Sequence, residues 1–330
     1  MASDPRALGP SVDATARRRR PAWSDHVAIA RPDPWFKNIF MLPGAALAWV
    51  LLGEIPLTSV VALAWGVLAT CLVASANYTI NEWLDAETDR HHPIKRHRPS
   101  AAGRIRAPLV YLQWLVLVGA ALTIAAAIGR SFLLWALVLL VMGLIYNVKP
   151  LRTKDRPYLD VLSESINNPL RFMLGWTAVV GDVLPPSSIL LAYWMGGAYL
   201  MAIKRFAEYR YIGEPAQAGR YRLSFRHYSE ATLLASAFFY ALSSAFFLGV
   251  FLIKYRIEFL VSMPFLALLF AWYLILGLRA ESPAQQPERL YRETSFVAYV
   301  AFLAVLITGL FFVDLPWLHV LVETHAFPGS

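Results

Sequence analysis

Cysteine is all but missing from this chain: Cys71 is the only one, which excludes a disulfide framework and a cysteine-built zinc centre. Charge is scarce as well. Lys, Arg, Asp and Glu make up 16% of the 330 residues against 58% hydrophobic ones, and mean hydropathy is +0.49. Ordinary soluble domains carry about 25% charged residues, so that class is excluded. Walker-type loops, G-x-G-x-x-G turns and a soluble repeat period are absent, and no apolar stretch alternates in the manner of a transmembrane barrel.

What the chain has instead is long apolar runs. A bilayer core of about 30 Å asks for about 20 residues per helix, and nine runs qualify: 38–53, 57–80, 108–128, 132–147, 159–181, 188–204, 230–253, 257–278 and 295–318. The expectation is an all-α polytopic membrane protein, a single nine-helix transmembrane bundle over residues 31–330. Residues 1–30, with Arg17, Arg18, Arg19 and Arg20, read as a flexible basic tail lying on anionic lipid, with no apolar run promptly after the arginines to make a signal peptide. Cys71 falls in the second run and reads as a small buried hydrophobe.

Orientation comes from the cations. Of 30 Lys and Arg residues, 26 fall in segments sharing the amino terminus's side, whereas the opposite loops hold only Arg130, Lys254 and Arg256, and Arg171 lies inside a run. The positive-inside rule places the amino terminus and the long polar loops in the cytoplasm, and the carboxyl terminus outside. This distribution also accounts for the net charge of +8, leaving no reason to expect a nucleic-acid partner.

The charged residues that remain are clustered. In "NEWLDAETDRHHPIKRHRPSAAG", residues 81–103, Asn81, Asp85 and Asp89 recur every four residues, and Glu82, Asp85 and Asp89 form an overlapping i, i+3, i+7 row. Such a helical edge presents hard oxygens that suit Mg²⁺, an ion satisfied by few carboxylates together with waters and substrate phosphates. Lys95, Arg96 and Arg98 follow as phosphate partners. His91, His92 and His97 invite a zinc reading, but no cysteine is nearby and adjacent histidines do not easily share one ion.

A second cluster, residues 146–176, brings Tyr146, Lys149, Arg152, Lys154, Asp155 and Asp160 to the same side, then carries Glu164, Asn167, Asn168 and Arg171 into an apolar helix. Asp160, Glu164, Asn167 and Arg171 are spaced to share one face, and ionisable groups at membrane depth mark a cavity. The third polar loop opens with "KRFAEYR", where Lys204 and Glu208 stand in the weaker i, i+4 order. Arg222, Arg226 and His227 then sit among aromatics, as an amphipathic lid over the cavity or an interfacial helix. Together these clusters suggest a lipid substrate and a diphosphate leaving group, whose charge a cation and basic side chains would neutralise.

At these residues the chain resembles the UbiA superfamily of intramembrane prenyltransferases. The likeness is carried by "RPDPWFKN" at 31–38, "DAETDRHHPIKRHRPSAAG" at 85–103, "LDV" at 159–161, Arg171, "KRFAE" at 204–208 and "YRLSFRHYS" at 221–229. Within it, the "HPxKRxRP" and "KRxAE" segments resemble the branch that moves phosphoribose onto polyprenyl phosphates. The resemblance implies a Mg²⁺-dependent transfer of 5-phosphoribose from phosphoribosyl diphosphate to a polyprenyl phosphate, in a bacterial inner membrane, with the site facing the cytoplasm. It implies a metal set of Asn81, Glu82, Asp85 and Asp89, with Asp85, Asp89 and Asp160 as the catalytic carboxylates and Asp160 on a second cation or the sugar hydroxyls. The substrate contacts it implies are Lys37, Lys95, Arg96, Tyr146, Lys154, Asn167, Arg171, Lys204, Arg205 and Glu208, with Lys37 meeting the lipid phosphate.

Three departures from the superfamily pattern stand out. Glu82 replaces an aspartate, "SINNP" at 165–169 puts amides and a proline where small apolar residues are expected, and Asp155 and Asp160 are five apart instead of four. Two other readings are open: a prenyl diphosphate transferase acting on an aromatic or other small acceptor, with Trp83, Tyr146, Phe172 and Trp176 as aromatic walls, and a transporter broken at Pro169.

Overall fold

The computed structural model describes residues 23–90, 95–255, 257–285 and 287–320, and among these there are helices and no strands. Arg17 to Arg20, His91 and His92 lie outside the described residues. α1 (Trp23–Ala30) and a 3-10 segment (Asp33–Met41) lead into α2 (Leu42–Leu52), and α3 (Leu57–Leu84) and the short α4 (Ala86–Asp89) follow. Then come α5 (Ala107–Ile128), α6 (Arg130–Asn147), α7 (Leu159–Ser165), α8 (Asn167–Val180), α9 (Ser187–Ile212) and α10 (Pro215–Tyr221). The described chain ends with α11 (Glu230–Tyr255), α12 (Met263–Leu278), α13 (Thr294–Phe312) and α14 (Pro316–His319).

Helix boundaries follow local chemistry. α2, α5, α10 and α12 each carry proline at the first or second position, where a missing N–H costs nothing. Six helical stretches are long and apolar enough to cross a bilayer: Trp23–Leu52, Leu57–Leu84, Ala107–Ile128, Arg130–Asn147, Glu230–Tyr255 and Ile257–Leu278. The other three expected spans fall short for identifiable reasons. Residues 159–181 are split at Ile166 because Pro169, in the first turn of α8, can neither donate to the preceding turn nor fit against it. α9 carries Lys204, Arg205, Glu208 and Arg210 and runs on to Ile212 through what the sequence suggests is a loop. α13 contributes a shorter apolar stretch, Thr294–Leu310. The polytopic membrane bundle stands, with six spans of full length and apolarity among the described residues.

Trp23–Ala30, within the stretch expected to be a flexible tail, is a helix tied to the body. Ile29 is fully buried, and Asp25 pairs with Arg104 at 3.2 Å. Large apolar side chains cover the outside, among them Phe238, Phe246 and Val305 at 66%, 66% and 72% exposure. In water such a surface would aggregate, whereas in lipid it is the solvated face.

Two cores flank a central space. One joins α2, α3, α5, α6 and α8 around Met41, Val73, Phe132, Leu139 and Leu174; the other joins α7, α9, α11 and α12 around Val161, Tyr199, Ile203, Tyr240 and Tyr273. Close approach of α8 to the amino-terminal segment depends on Gly175. A Cβ there would stand 1.9 Å from the Met41 carbonyl oxygen, an overlap only glycine avoids. That contact draws the 3-10 segment against α8 and sets Asn38 beside Arg171.

Candidate active site

Between the two cores lies a cavity of about 1140 Å³, lined by the 3-10 segment, α3, α6, the 148–155 loop, α7, α8, α9 and α10. At one end the Lys154 ammonium is held by three oxygens. Lys154 Nζ donates to Asp85 Oδ1 at 2.5 Å, Asn147 Oδ1 at 2.9 Å and Asn81 Oδ1 at 3.1 Å. The spacing of α3 explains two of these partners: Asn81 and Asp85 are one turn apart on the face toward α6. Asn147, the last residue of α6, anchors its own amide by donating to the Gly143 carbonyl at 2.8 Å, which leaves its oxygen for the cavity. Burial pulls the Lys154 ammonium down to about 8, with Asp85 resisting that fall.

Arg152 completes this end. It donates to Asp85 Oδ1 at 2.9 Å, Asp155 Oδ2 at 2.8 Å and the Asn147 carbonyl at 3.2 Å. Its backbone is in the left-handed region, φ 30°, a conformation costing a non-glycine residue about 1 kcal/mol or more. The three anchored N–H groups offset that cost. Lys95 meets the Tyr221 hydroxyl and lies 4.7 Å from its ring centre.

The metal set expected from the sequence is redistributed. Asn81 and Asp85 converge, but Glu82, 3% exposed, does not line the cavity and instead accepts from Ser100 Oγ at 3.5 Å. At one residue's offset on a helix its side chain is turned about 100° from that of Asn81. Asp89 reaches the cavity wall but is engaged by Arg98 at 2.7 Å. Among the described residues no three His, Cys, Asp or Glu side chains group as a metal cluster. The fit to Mg²⁺ therefore rests on one carboxylate and two amide oxygens already converging on a cation, a donor set this ion accepts when substrate phosphates supply the rest.

The basic residues separate just as clearly. Arg96 is exposed, bonds to His97 Nε2 at 3.2 Å and does not line the cavity. Arg205, 1% exposed, has its N–H groups committed to Asp160 (3.3 Å), Glu208 (3.0 Å) and Glu164 (2.5 Å), so it braces carboxylates and has little left for a phosphate. Tyr146 donates to Glu164 at 2.8 Å. Asp160, expected at a second cation or the sugar hydroxyls, is fully buried and is not among the residues lining the cavity.

Deeper in the bundle, Arg171 of α8 is 8% exposed and lines the cavity. It donates to Asn38 Oδ1 at 2.9 Å and the Asn167 carbonyl at 3.2 Å, and no carboxylate lies within ion-pair distance among the described residues. Asn38 in turn donates to Cys71 Sγ at 3.1 Å, giving the lone cysteine a polar neighbour. Lys204 and Lys37 line the same cavity, and Lys204 makes no ion pair shorter than 4 Å with a described carboxylate. Asn167, Asn168 and Ser165 make part of the wall, so the polar "SINNP" departure faces the cavity. Trp83, Phe172 and Trp176 pack in satellite clusters and leave Tyr146 as the one expected aromatic on the lining.

Sequence reasoning missed Asn147 as the third oxygen and Asn77 and Tyr78 as wall residues. Asn147 adjoins Tyr146 in "YNVKP", and Asn77 precedes Asn81 by one helical turn, which is the available signal.

Across the lining, the described residues include twelve Lys and Arg against six Asp and Glu. A buried surplus of this size demands anionic ligands. Residues 39–306 match the UbiA prenyltransferase family. The chain belongs to the UbiA prenyltransferase family. It is 33% identical over 187 residues to decaprenyl-phosphate phosphoribosyltransferase of Mycolicibacterium smegmatis, a match covering 55% of this chain and 56% of that relative. The chain thus spans little more than half of that relative's length. It is 28% identical over 205 residues to protoheme IX farnesyltransferase of Alkalihalophilus pseudofirmus, covering 59% of this chain and 63% of the relative. Its fold matches a UbiA homolog from Archaeoglobus fulgidus bound to GPP and Mg²⁺, with a TM-score of 0.65 at 23% identity over 84% of this chain and 99% of that one.

Proposed function

We propose that this UbiA-family protein transfers 5-phosphoribose from phosphoribosyl diphosphate to a polyprenyl phosphate and releases diphosphate. The observation that carries this reading is the cation surplus on the wall of one cavity. Lys154 and Arg152 meet Asp85 at 2.5 and 2.9 Å, Lys95 and Arg222 line the cavity beside Tyr221 and Tyr146, and Arg171, Lys204 and Lys37 line it too. A prenyl diphosphate with a neutral acceptor brings one charged group. A phosphoribosyl donor and a phosphate acceptor bring several, each phosphate near −1 to about −2 at neutral pH, and they require anion sites on both sides of the reacting carbon. The curated phosphoribosyltransferase relative supports the same reading.

In this scheme the bond from the anomeric carbon to the diphosphate oxygen breaks with both electrons leaving on diphosphate. A lipid phosphate oxygen then forms the new bond. Asn81, Asp85 and Asn147 would hold a magnesium ion, whose chemistry is to neutralise charge on the departing diphosphate. Arg152, Lys154, Lys95 and Arg222 hold the diphosphate oxygens, and the donor's remaining charge falls within their reach. Arg171, Lys204 and Lys37 hold the acceptor phosphate. It attacks as an anion and needs no general base, which agrees with the carboxylates of the wall being occupied by arginines.

We place the protein in a cell membrane with this site open to the cytoplasm, a placement that the 26 cations of the polar segments support. We propose likewise that residues 31–330 make up a single catalytic domain. Diphosphate release in detergent tests the function: it should require polyprenyl phosphate and phosphoribosyl diphosphate together. Release from prenyl diphosphate and an aromatic acid, with none from the first pair, would overturn it.

A further inference from the structure

Asp160 was expected to ligate a cation, yet every contact it makes is to a protein donor. Its Oδ2 accepts from Arg205 Nε at 3.3 Å and Ser224 Oγ at 3.1 Å, and Arg222 Nη1 stands 3.8 Å away. Its Oδ1 accepts from the Tyr228 hydroxyl at 2.7 Å. That hydroxyl accepts in turn from the Tyr158 backbone N–H at 2.5 Å. Tyr158 holds φ 63° at the start of α7, so the carboxylate closes a ring of contacts from the turn before α7 to the 222–228 strap and back.

The strap matters because of what it carries. Arg220, Tyr221, Arg222 and Leu223 line the cavity, and Tyr221 is the partner of Lys95. Arg222 Nη1 also meets the Tyr146 hydroxyl at 3.4 Å. Ser224 and Phe225 are buried at 0% and 1% exposure, so the strap is seated through its middle and offers its basic end to the cavity. Three hydrogen-bond donors and the Arg222 guanidinium surround this fully buried carboxylate, and it is not among the residues lining the cavity.

Resting on the reading of the cavity as a diphosphate site, we propose that Asp160 is a positioning residue that fixes the 222–228 strap and with it Arg222 over the bound diphosphate. It does not ligate the metal. Its effect reaches substrate through Arg222, and through Arg205 to the Glu164 and Glu208 walls. The proposal concerns anion affinity, with the metal set left to Asn81, Asp85 and Asn147.

The test uses the full chain in lipid nanodiscs and needs no turnover. Mn²⁺ binding and inorganic diphosphate binding are measured by calorimetry for wild type, Asp160→Asn, Tyr228→Phe and Asp85→Asn. Tyr228→Phe keeps the ring and removes one hydrogen bond to a charge, so it preserves the fold if Asp160→Asn does not. The expected result is diphosphate affinity lower by about tenfold for Tyr228→Phe and by more for Asp160→Asn. Mn²⁺ affinity should stay within about threefold of wild type in both and collapse only in Asp85→Asn. Loss of Mn²⁺ binding in Asp160→Asn equal to that in Asp85→Asn overturns the proposal, as does unchanged diphosphate affinity in Tyr228→Phe. If wild type binds Mn²⁺ but no diphosphate, the reading of the cavity fails first, and that outcome is separate from either result on Asp160.

Discussion

Lys154 Nζ stands 2.5 Å from Asp85 Oδ1, and the two residues are 69 positions apart in the chain. The pair joins the end of α3 to the loop after α6, and it fixes the point at which two amide oxygens also meet a cation. Removing the carboxylate by Asp85→Asn leaves Lys154 and Arg152 facing each other without it. Turnover should fall by about 10²-fold or more, while thermal unfolding in detergent changes much less. Activity near wild type would remove Asp85 from the site.

Chelation provides an independent check. With one carboxylate and two amides as its protein ligands, the ion's hold should be modest and its exchange ready. EDTA should abolish diphosphate release, and added Mg²⁺ should restore it in full. Undiminished turnover after exhaustive chelation would contradict the metal assignment.

Arg171 should govern the acceptor alone. Arg171→Met keeps an unbranched stem and deletes the guanidinium and its charge, so KM for polyprenyl phosphate is expected to rise about tenfold or more with little change in KM for the donor. Asn38→Ala removes the partner at Arg171 Nε and the donor to Cys71 Sγ while keeping the guanidinium, and should give a smaller shift in the same parameter. A rise in donor KM instead would exchange the two anion sites.

Gly143 is a packing test of the cavity wall. A Cβ at this position would lie 2.2 Å from Asn77 Cγ, and Asn77 is fixed by its bond to the Leu139 carbonyl at 3.1 Å. Gly143→Ala should cost about 1–3 kcal/mol of stability and reduce activity, both readable in one preparation by thermal shift and diphosphate release. A variant as stable and active as wild type would show that the wall yields easily.

The helical class, the apolar spans and the clustering of charge at one end were legible in the sequence because each depends on local composition and period. So was the pairing of Asn81 with Asp85, one turn apart on one helix. What escaped were contacts between distant elements. Nothing near Asp160 in the chain announces Ser224 or Tyr228, 64 and 68 residues away, as its hydrogen-bond donors. Arg205 and Lys204 look alike as neighbours, yet a helix points them about 100° apart, and of the two, both on the cavity lining, Arg205 is the one paired with three carboxylates. Glu82 was drawn into the metal set by its i, i+3 spacing, although its neighbour Asn81 already occupied the inward face.

Membrane orientation can be read with a single engineered thiol. Gln217 is exposed on α10, and the native Cys71 is buried. Gln217→Cys should react with a membrane-impermeant maleimide only from the cytoplasmic side, while wild type stays unlabelled. Labelling from outside intact cells would reverse the orientation and place the cavity mouth on the opposite face.

The central claim is tested most directly by the mass of the lipid product. Purified protein with Mg²⁺ and a polyprenyl phosphate is incubated with phosphoribosyl diphosphate, and in parallel with a prenyl diphosphate and aromatic acids, and each lipid extract is weighed by mass spectrometry. The account predicts a polyprenyl phosphate heavier by one phosphoribosyl group in the first reaction and no prenylated acid in the second. A prenylated acid with no phosphoribosylated lipid would contradict it, and would turn the Arg171 and Lys204 end of the cavity into a site for the acid's carboxylate.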